Sequence, residues 1–361
     1  MEIKGLSDDN ILKISHIKEE DEWALKYRID SYHNFLKLGL PDFGPKIELD
    51  FDNIIYYKSR QESEIKNNWN DINCSVKNEL DNLGVLESEK HLDGIGVQYE
   101  SEVIYHNMLS ELEEKNVIFT SIEVAMKKYP ELVKKYFGKI VSNNENKFAA
   151  LNGAVFSGGS FIYIPPNTTL DRPLQSYFRI NSRNMGQFER TLIIVDDNSH
   201  LHYVEGCTAP TYSDSSLHAA VVEIYVGKNS SCRYSTIQNW APNVYNLVTK
   251  RALVDENGVM EWIDGNIGSR LTMKYPCCVL KGDNSKGTCI TISVASKTQE
   301  QDSGARMIHL GKNTTSNIIS KSIAQSGGNS TYRGKVRITK GATGSSACLL
   351  YTSDAADEAR S

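Results

Sequence analysis

The chain has 361 residues, 40% of them hydrophobic and 24% charged, with a formal net charge of −5. That length allows two domains or one long domain with an appendage, and the composition supports a buried core rather than wholesale disorder. The acidic balance argues against nucleic-acid binding by phosphate neutralisation. Seven cysteines, none in a CxxC pair, are too few for a disulfide framework. The longest apolar runs, such as Thr191–Val195 and Ala219–Val222, are strand-length and far short of a membrane span. The N-terminal stretch MEIKGLSDDNILKISHIKEEDEWALKYR is too acidic and too broken for a targeting peptide. The expectation is a soluble protein of a reducing compartment, cytoplasmic or in an organelle stroma.

The first third carries helical periodicity. Glu22–Lys37 places Trp23, Leu25, Tyr27, Ile29, Tyr32, Phe35 and Leu36 near one face, and Pro41 and Pro45 end the pattern. Asp71–Leu83 and Ser101–Lys115 repeat that spacing. Ser121 opens a short helix through Ala125–Lys128, and Pro130 fits the first turn of Glu131–Phe137, which Gly138 closes.

Beyond about Asn152 the period switches to two. Ser160–Ile164, Arg190–Val195, His218–Val226, Thr288–Val294 and Lys335–Thr339 read as strands separated by Asn, Gly, Asp and Ser. Turn asparagines recur at Asn198, Asn229, Asn257, Asn284 and Asn313, in steps of 31, 28, 27 and 29. Even spacing of this length predicts a β-solenoid with one coil per repeat, with a sandwich of evenly spaced strands as the alternative. Asn167, Asn229, Asn313 and Asn329 also match glycosylation triplets, but turn chemistry explains them better in a chain with no signal peptide.

Several enzyme signatures are missing: GxxxxGK[ST], HExxH and GxSxG do not occur. Polar residues within the strands say more. Arg179 and Asn181 share a strand face, as do Glu205 with Cys207 and Gln238 with Trp240. Arg179, Cys207 and Gln238 are 28 and 31 residues apart, so they are expected to stack as a column at the strand spacing of about 4.8 Å. An arginine beside Cys207 would lower the thiol pKa, and Lys250 would supply a second cation. The competing reading is a ladder of stacked polar residues that only satisfy one another. Cys74, Cys232, Cys277, Cys278 and Cys289 read as structural, and His202, His218 and His309 as core or surface residues.

Taken together, GGSFIYIPPN, LQSYFRIN, YVEGCTAPTYS, LHAAVVEIYV, STIQNW, NVYNLVTKRA, MEWIDGNIGS and MIHLGKNTTSNIISKSI closely resemble the SufB branch of the SufB/SufD family of the SUF iron–sulfur cluster assembly system. PDFGPKIELDFDNIIYY and GVQYESEVIYHN extend the likeness toward the N-terminus, so that it runs from about Trp23 to Gly341. The resemblance implies an N-terminal helical domain (1–140) and a right-handed parallel β-helix core (141–341). It implies an assembly scaffold rather than a turnover enzyme, with Cys207 as the persulfide sulfur acceptor. Arg179, Asn181, Gln238, Trp240 and Lys250 would line the sulfur's passage through the lumen, with Glu205 secondary. Implied partners are the SufC ATPase, SufD or a second SufB, a cysteine desulfurase and its sulfur-transfer partner, with no nucleic acid and no membrane. The implied cargo is an iron–sulfur cluster, 4Fe-4S in the complete protein, and some members of the family carry reduced flavin, for which no motif occurs here.

Residues 342–361 depart from the family pattern. The resemblance implies a further C-terminal helical domain and the cluster ligands beyond this point, so the expectation is a truncated scaffold with a non-family tail in which Cys348 takes no assigned role. A SufD-like structural partner is the alternative within the family. A β-helix polysaccharide-active enzyme is the alternative outside it, and it would need clustered Asp, Lys or Arg on one exterior face.

Overall fold

The computed structural model describes residues 1–59, 64–211 and 215–355, so the end of the YVEGCTAPTYS motif and positions 356–361 of the expected tail lie outside the described residues. The architecture is mainly β, a solenoid of about seven turns with an N-terminal helical region against it. Each turn contributes one strand to each of two parallel walls. The first wall runs through Leu174–Arg179, His200–Thr208, Ser231–Trp240, Val259–Gly268, Lys286–Ser296, Thr315–Gln325 and Ser346–Ala355. The second runs from Ser160–Ile164 through Arg190–Val195, Val221–Val226 and Val244–Val254, then Leu271–Lys274 with Cys277–Leu280, to Glu300–His309 and Asn329–Ile338. The ladder therefore continues past residue 341.

The repeat read from the turn asparagines is the repeat of the fold. His200 lies opposite Ser231, Ser231 opposite Val259, Val259 opposite Lys286 and Lys286 opposite Thr315. At five successive corners from second wall to first, an asparagine takes the left-handed conformation, with φ of 57°, 53°, 54°, 60° and 55° at Asn198, Asn229, Asn257, Asn284 and Asn313, and the last corner uses Gly344 at 72°. Asparagine tolerates that region better than other residues bearing a Cβ. Their side chains also form a ladder: Asn198 donates to Asn167 at 3.2 Å, Asn229 to Asn198 at 3.2 Å and Asn257 to Asn229 at 3.0 Å.

The helical region follows its periodicity, with one exception. Glu22–Lys37 is a helix with those bounds, Cys74–Asn82 occupies the Asp71–Leu83 window, and Ser121 caps Ile122–Lys128 by accepting from the Val124 N–H. Pro130 begins Pro130–Tyr136, and Gly138 follows at φ 68°. Ser101–Lys115 is not the expected helix. Glu102–Met108 is a strand, antiparallel to Gly94–Tyr99, and only Ser110–Glu114 is helical. Val103, Ile104 and Tyr105 favour the extended chain, and Gly94–Tyr99 itself pairs with Leu174–Arg179, so the hairpin finishes one edge of the first wall.

Two buried arginines join the helices to the solenoid. Arg28 donates to both oxygens of Glu20 at 2.6 Å and to the Phe156 carbonyl at 2.9 Å. Arg190 pairs with Glu223 at 2.7 Å, and Glu223 also accepts backbone N–H bonds from Gly138, Ile140 and Val141. Gly159, in the GGSF motif, crosses the Arg190 backbone so closely that a Cβ there would lie 2.3 Å from its carbonyl oxygen.

Candidate functional site

Alternation along the first wall decides what enters the lumen. In His200–Thr208 the buried positions are Leu201, Tyr203, Glu205 and Cys207. Parallel register stacks them on Cys232, Tyr234, Thr236 and Gln238, then on Met260, Trp262, Asp264 and Asn266. Reading outward from the asparagine corner, the first two columns are mostly apolar and the next two polar. The lumen thus has an apolar half and a polar half.

The polar half holds buried charges in balance. Across from the first wall, Val244–Val254 turns Asn246 and Lys250 inward and Leu271–Lys274 contributes Lys274. Lys250 Nζ lies 3.6 Å from Glu205 Oε1 and 3.9 Å from Asp264 Oδ1, with the Tyr234 ring centroid at 4.4 Å. Lys274 Nζ lies 3.3 Å from Asp264 Oδ1. Burial of charge is tolerated only with such pairing.

Cys207 sits at the edge of this cluster and is fully buried. Its Sγ donates to Glu205 Oε1 at 3.7 Å and accepts from Gln238 Nε2 at 4.0 Å. Glu205 further accepts from Tyr234, and from Thr236 Oγ1 at 3.5 Å. Burial pushes the thiol pKa well above its ordinary value, Glu205 and Glu189 push the same way, and Lys250 and Lys274 pull it back in part. The expected depression by a neighbouring arginine is therefore overturned. The resting group is a neutral thiol hydrogen-bonded to a carboxylate.

Arg179 is absent from the column for a reason of register. Phe178 lies opposite Cys207 and Arg179 opposite Thr208, because this coil advances by 29 residues rather than 28. A shift of one residue moves a side chain to the other face. Arg179 accordingly points away from the lumen, donating to Glu79 Oε1 at 3.0 Å and to Thr208 Oγ1 at 2.9 Å. Asn181 lies beyond the end of Leu174–Arg179 and donates to the Tyr99 hydroxyl. Glu205, Gln238, Trp240 and Lys250 do share the lumen with Cys207, and Trp240 and Cys207 belong to one buried cluster with Phe178 and Met185.

Sequence reasoning missed Lys274, Asp264, Asn246, Glu189 and the role of His218. His218 is fully buried, with Nδ1 at 2.7 Å from Asn246 Oδ1, Nε2 bonded to Glu189 Oε1, and its ring 4.7 Å from that of Trp240. One signal was present: in MEWIDGN, Asp264 has the same parity as Met260 and Trp262, which marks it as inward-facing. The other cysteines divide by location. Cys232, Cys277, Cys278 and Cys289 are buried, while Cys74 and Cys348 are exposed. Among the described residues, no group of three His, Cys, Asp or Glu side chains is placed to hold a metal ion, and no helix is long and apolar enough to cross a membrane. A surface groove of about 470 Å³, lined by Phe43, Lys147, Tyr275 and Arg306 among others, holds none of the predicted site residues.

The model of the SufBD protein N-terminal region matches residues 97–176, and that of the SUF system FeS cluster assembly SufBD core domain matches residues 178–352. An iron-sulfur cluster assembly SufBD family protein of Staphylococcus saprophyticus is 55% identical over 343 residues, covering 94% of this chain and 74% of the relative. Proteins of the same description from Staphylococcus aureus strains USA300 and MRSA252 are 55% and 54% identical over the same shares.

Proposed function

Because the chain belongs to the SufBD family of SUF iron–sulfur cluster assembly proteins, we propose that it is a SufB-type scaffold in which Cys207 accepts sulfur inside the solenoid. The observation that carries this reading is the Cys207 thiol, buried with Glu205 at 3.7 Å and two lysine side chains in the same chamber. Glu205 takes the thiol proton. The thiolate attacks the outer sulfur of a donor persulfide, R–S–SH, the donor's S–S bond breaks, and its electron pair leaves on the donor as thiolate. The outer sulfur, with its proton, ends on Cys207, and no net oxidation or reduction occurs. Lys250 and Lys274, in the same chamber, oppose the negative charge that develops on the sulfur.

The cluster is cargo in this scheme and Cys207 is the port for its sulfur. A cysteine desulfurase with its sulfur-transfer partner supplies the sulfur. A SufC-type ATPase supplies the motion for which this chain has no GxxxxGK[ST] loop, and a SufD-type chain or a second copy completes the assembly.

Loading from a persulfide donor carrying radiolabelled sulfur tests the assignment. Wild type takes up label that a thiol reductant releases, and Cys207→Ala loses it. Undiminished uptake by Cys207→Ala would overturn the acceptor role and favour a SufD-like structural subunit.

A further inference from the structure

Taking Cys207 as the sulfur acceptor, we propose that Lys274 and His218 are its positioning residues: Lys274 fixes the direction of a buried hydrogen-bond chain that holds His218 as an imidazolium and turns the Gln238 amide N–H toward the Cys207 sulfur. The chain runs from Glu189 through His218, Asn246 and Gln238 to Cys207. With Glu189 as a carboxylate, its direction follows from the donor and acceptor inventories.

A lysine ammonium can only donate. The Gln238 atom 3.2 Å from Lys274 Nζ must then be the carboxamide oxygen, which leaves Nε2 for the Cys207 sulfur. That same oxygen lies 2.8 Å from Asn246, whose facing atom must be the NH₂ group, and this group also reaches Thr272 Oγ1 at 3.3 Å. Asn246 therefore presents its oxygen to His218 Nδ1 at 2.7 Å, and Nδ1 must carry a proton. Nε2 faces the Glu189 carboxylate, another acceptor. With an acceptor on both sides, both ring nitrogens are protonated. Burial opposes this charge, but Glu189 and the Asn246 bond outweigh it and raise the His218 pKa, with Glu205 adding to the effect.

Without a donor-only partner at Gln238 the chain can reverse. Gln238 would turn its oxygen to the thiol, Asn246 its NH₂ to His218 Nδ1, and His218 would become the neutral Nε2–H tautomer. The reversed chain accepts S–H and favours the thiol, whereas the chain as built donates N–H and favours an anionic sulfur. Facing Lys274 are Asp264 and Gln238 from the first wall, with Lys250 beside it on the second. Burial lowers its pKa while Asp264 holds the charge in place. Facing Cys207 are Glu205, with Glu189, Lys250 and Lys274 further off.

Nitrogen NMR of ¹⁵N-histidine-labelled full chain reads the prediction without any sulfur chemistry, with His218 assigned through His218→Gln. In wild type at neutral pH, both His218 nitrogens resonate at imidazolium positions. In Lys274→Met, Nδ1 moves downfield to the unprotonated position, and Lys274→Arg, still a fixed donor-only cation, restores the imidazolium pattern. In parallel, the ¹³Cβ resonance of Cys207 followed against pH shows the onset of thiolate formation moving to higher pH in Lys274→Met. A neutral His218 in wild type overturns the proposal even if every variant misfolds, as does an imidazolium retained in folded Lys274→Met. The labelled-sulfur experiment fails or succeeds independently, so loss of the acceptor role and loss of the directional chain are separate results.

Discussion

The two halves of the lumen use the same strands and turns for opposite ends. Near the asparagine corner, Tyr203, Tyr234 and Trp262 stack with ring centroids 5.1 Å and 5.2 Å apart, among Val226, Val254, Leu280 and Met307. Four residues farther along the same strands, Cys207, Gln238 and Asn266 stack instead, against lysines and carboxylates. Two histidines make the contrast sharp. His106, edge-on to Phe119 in the hairpin that finishes the first wall, is driven by burial to a pKa of about 4. His218, in the polar half, has its pKa raised because its partners are acceptors. Position along a strand, rather than a domain boundary, separates the part that supplies stability from the part equipped for chemistry.

The largest effect expected is in the apolar half. Trp262→Ala should cost about 4 kcal/mol, seen as a fall in denaturant midpoint at unchanged slope, because the stack on both sides cannot close the cavity. In the polar half, Asp264→Leu alone should cost about 3 kcal/mol by stranding the buried Lys274 ammonium, while Lys250 keeps Glu205. Adding Lys274→Met should recover most of that loss, whereas no second substitution rescues Trp262→Ala in the same way. A double variant as unstable as Asp264→Leu would show that the charges are not a compensated set.

Acid sharpens the comparison further. The unfolded chain protonates His106 near pH 6.5, while the folded chain resists until about pH 4. Its contribution is therefore present above pH 6.5 and lost as pH falls, by about 2 kcal/mol at pH 5, and His106→Phe should flatten that part of the stability curve. His218 has the opposite sign: its contribution is full below its unfolded pKa and fades as pH rises through the raised folded value. Smallest is the corner ladder, where Asn229→Ala should cost about 1 kcal/mol for a Cβ in the left-handed region without a side-chain bond, and Asn229→Gly less, by thermal unfolding.

Much of the fold was legible because a solenoid writes its period into the chain. The asparagine steps of 31, 28, 27 and 29 are the pairing steps of the first wall. The hairpin at residues 94–108 was not legible, since a strand that finishes a sheet edge owes its conformation to a partner distant in sequence. At the site, parity correctly grouped Glu205 with Cys207 and Gln238 with Trp240. Arg179 failed because coil length varies by up to four residues and parity amplifies a one-residue error into a change of face. Lys274 and His218 come from the second wall, whose strands break at Ala219–Ala220 and at Tyr275–Pro276. No count along the sequence spans those breaks.

The corner asparagines also bear on how such a chain can change length over generations. Their side chains hand hydrogen bonds from coil to coil, and the strands that follow start in register, yet the coils between them differ by up to four residues. The difference is taken up before the asparagine, in the loops leaving the first wall, at the breaks in the second, and by one extra residue between Leu280 and Asn284 compared with Val254 and Asn257. Insertions of one or two residues at those places should leave the lumen's stacking intact, while a single insertion between an asparagine and the strand after it would turn an entire rung inside out.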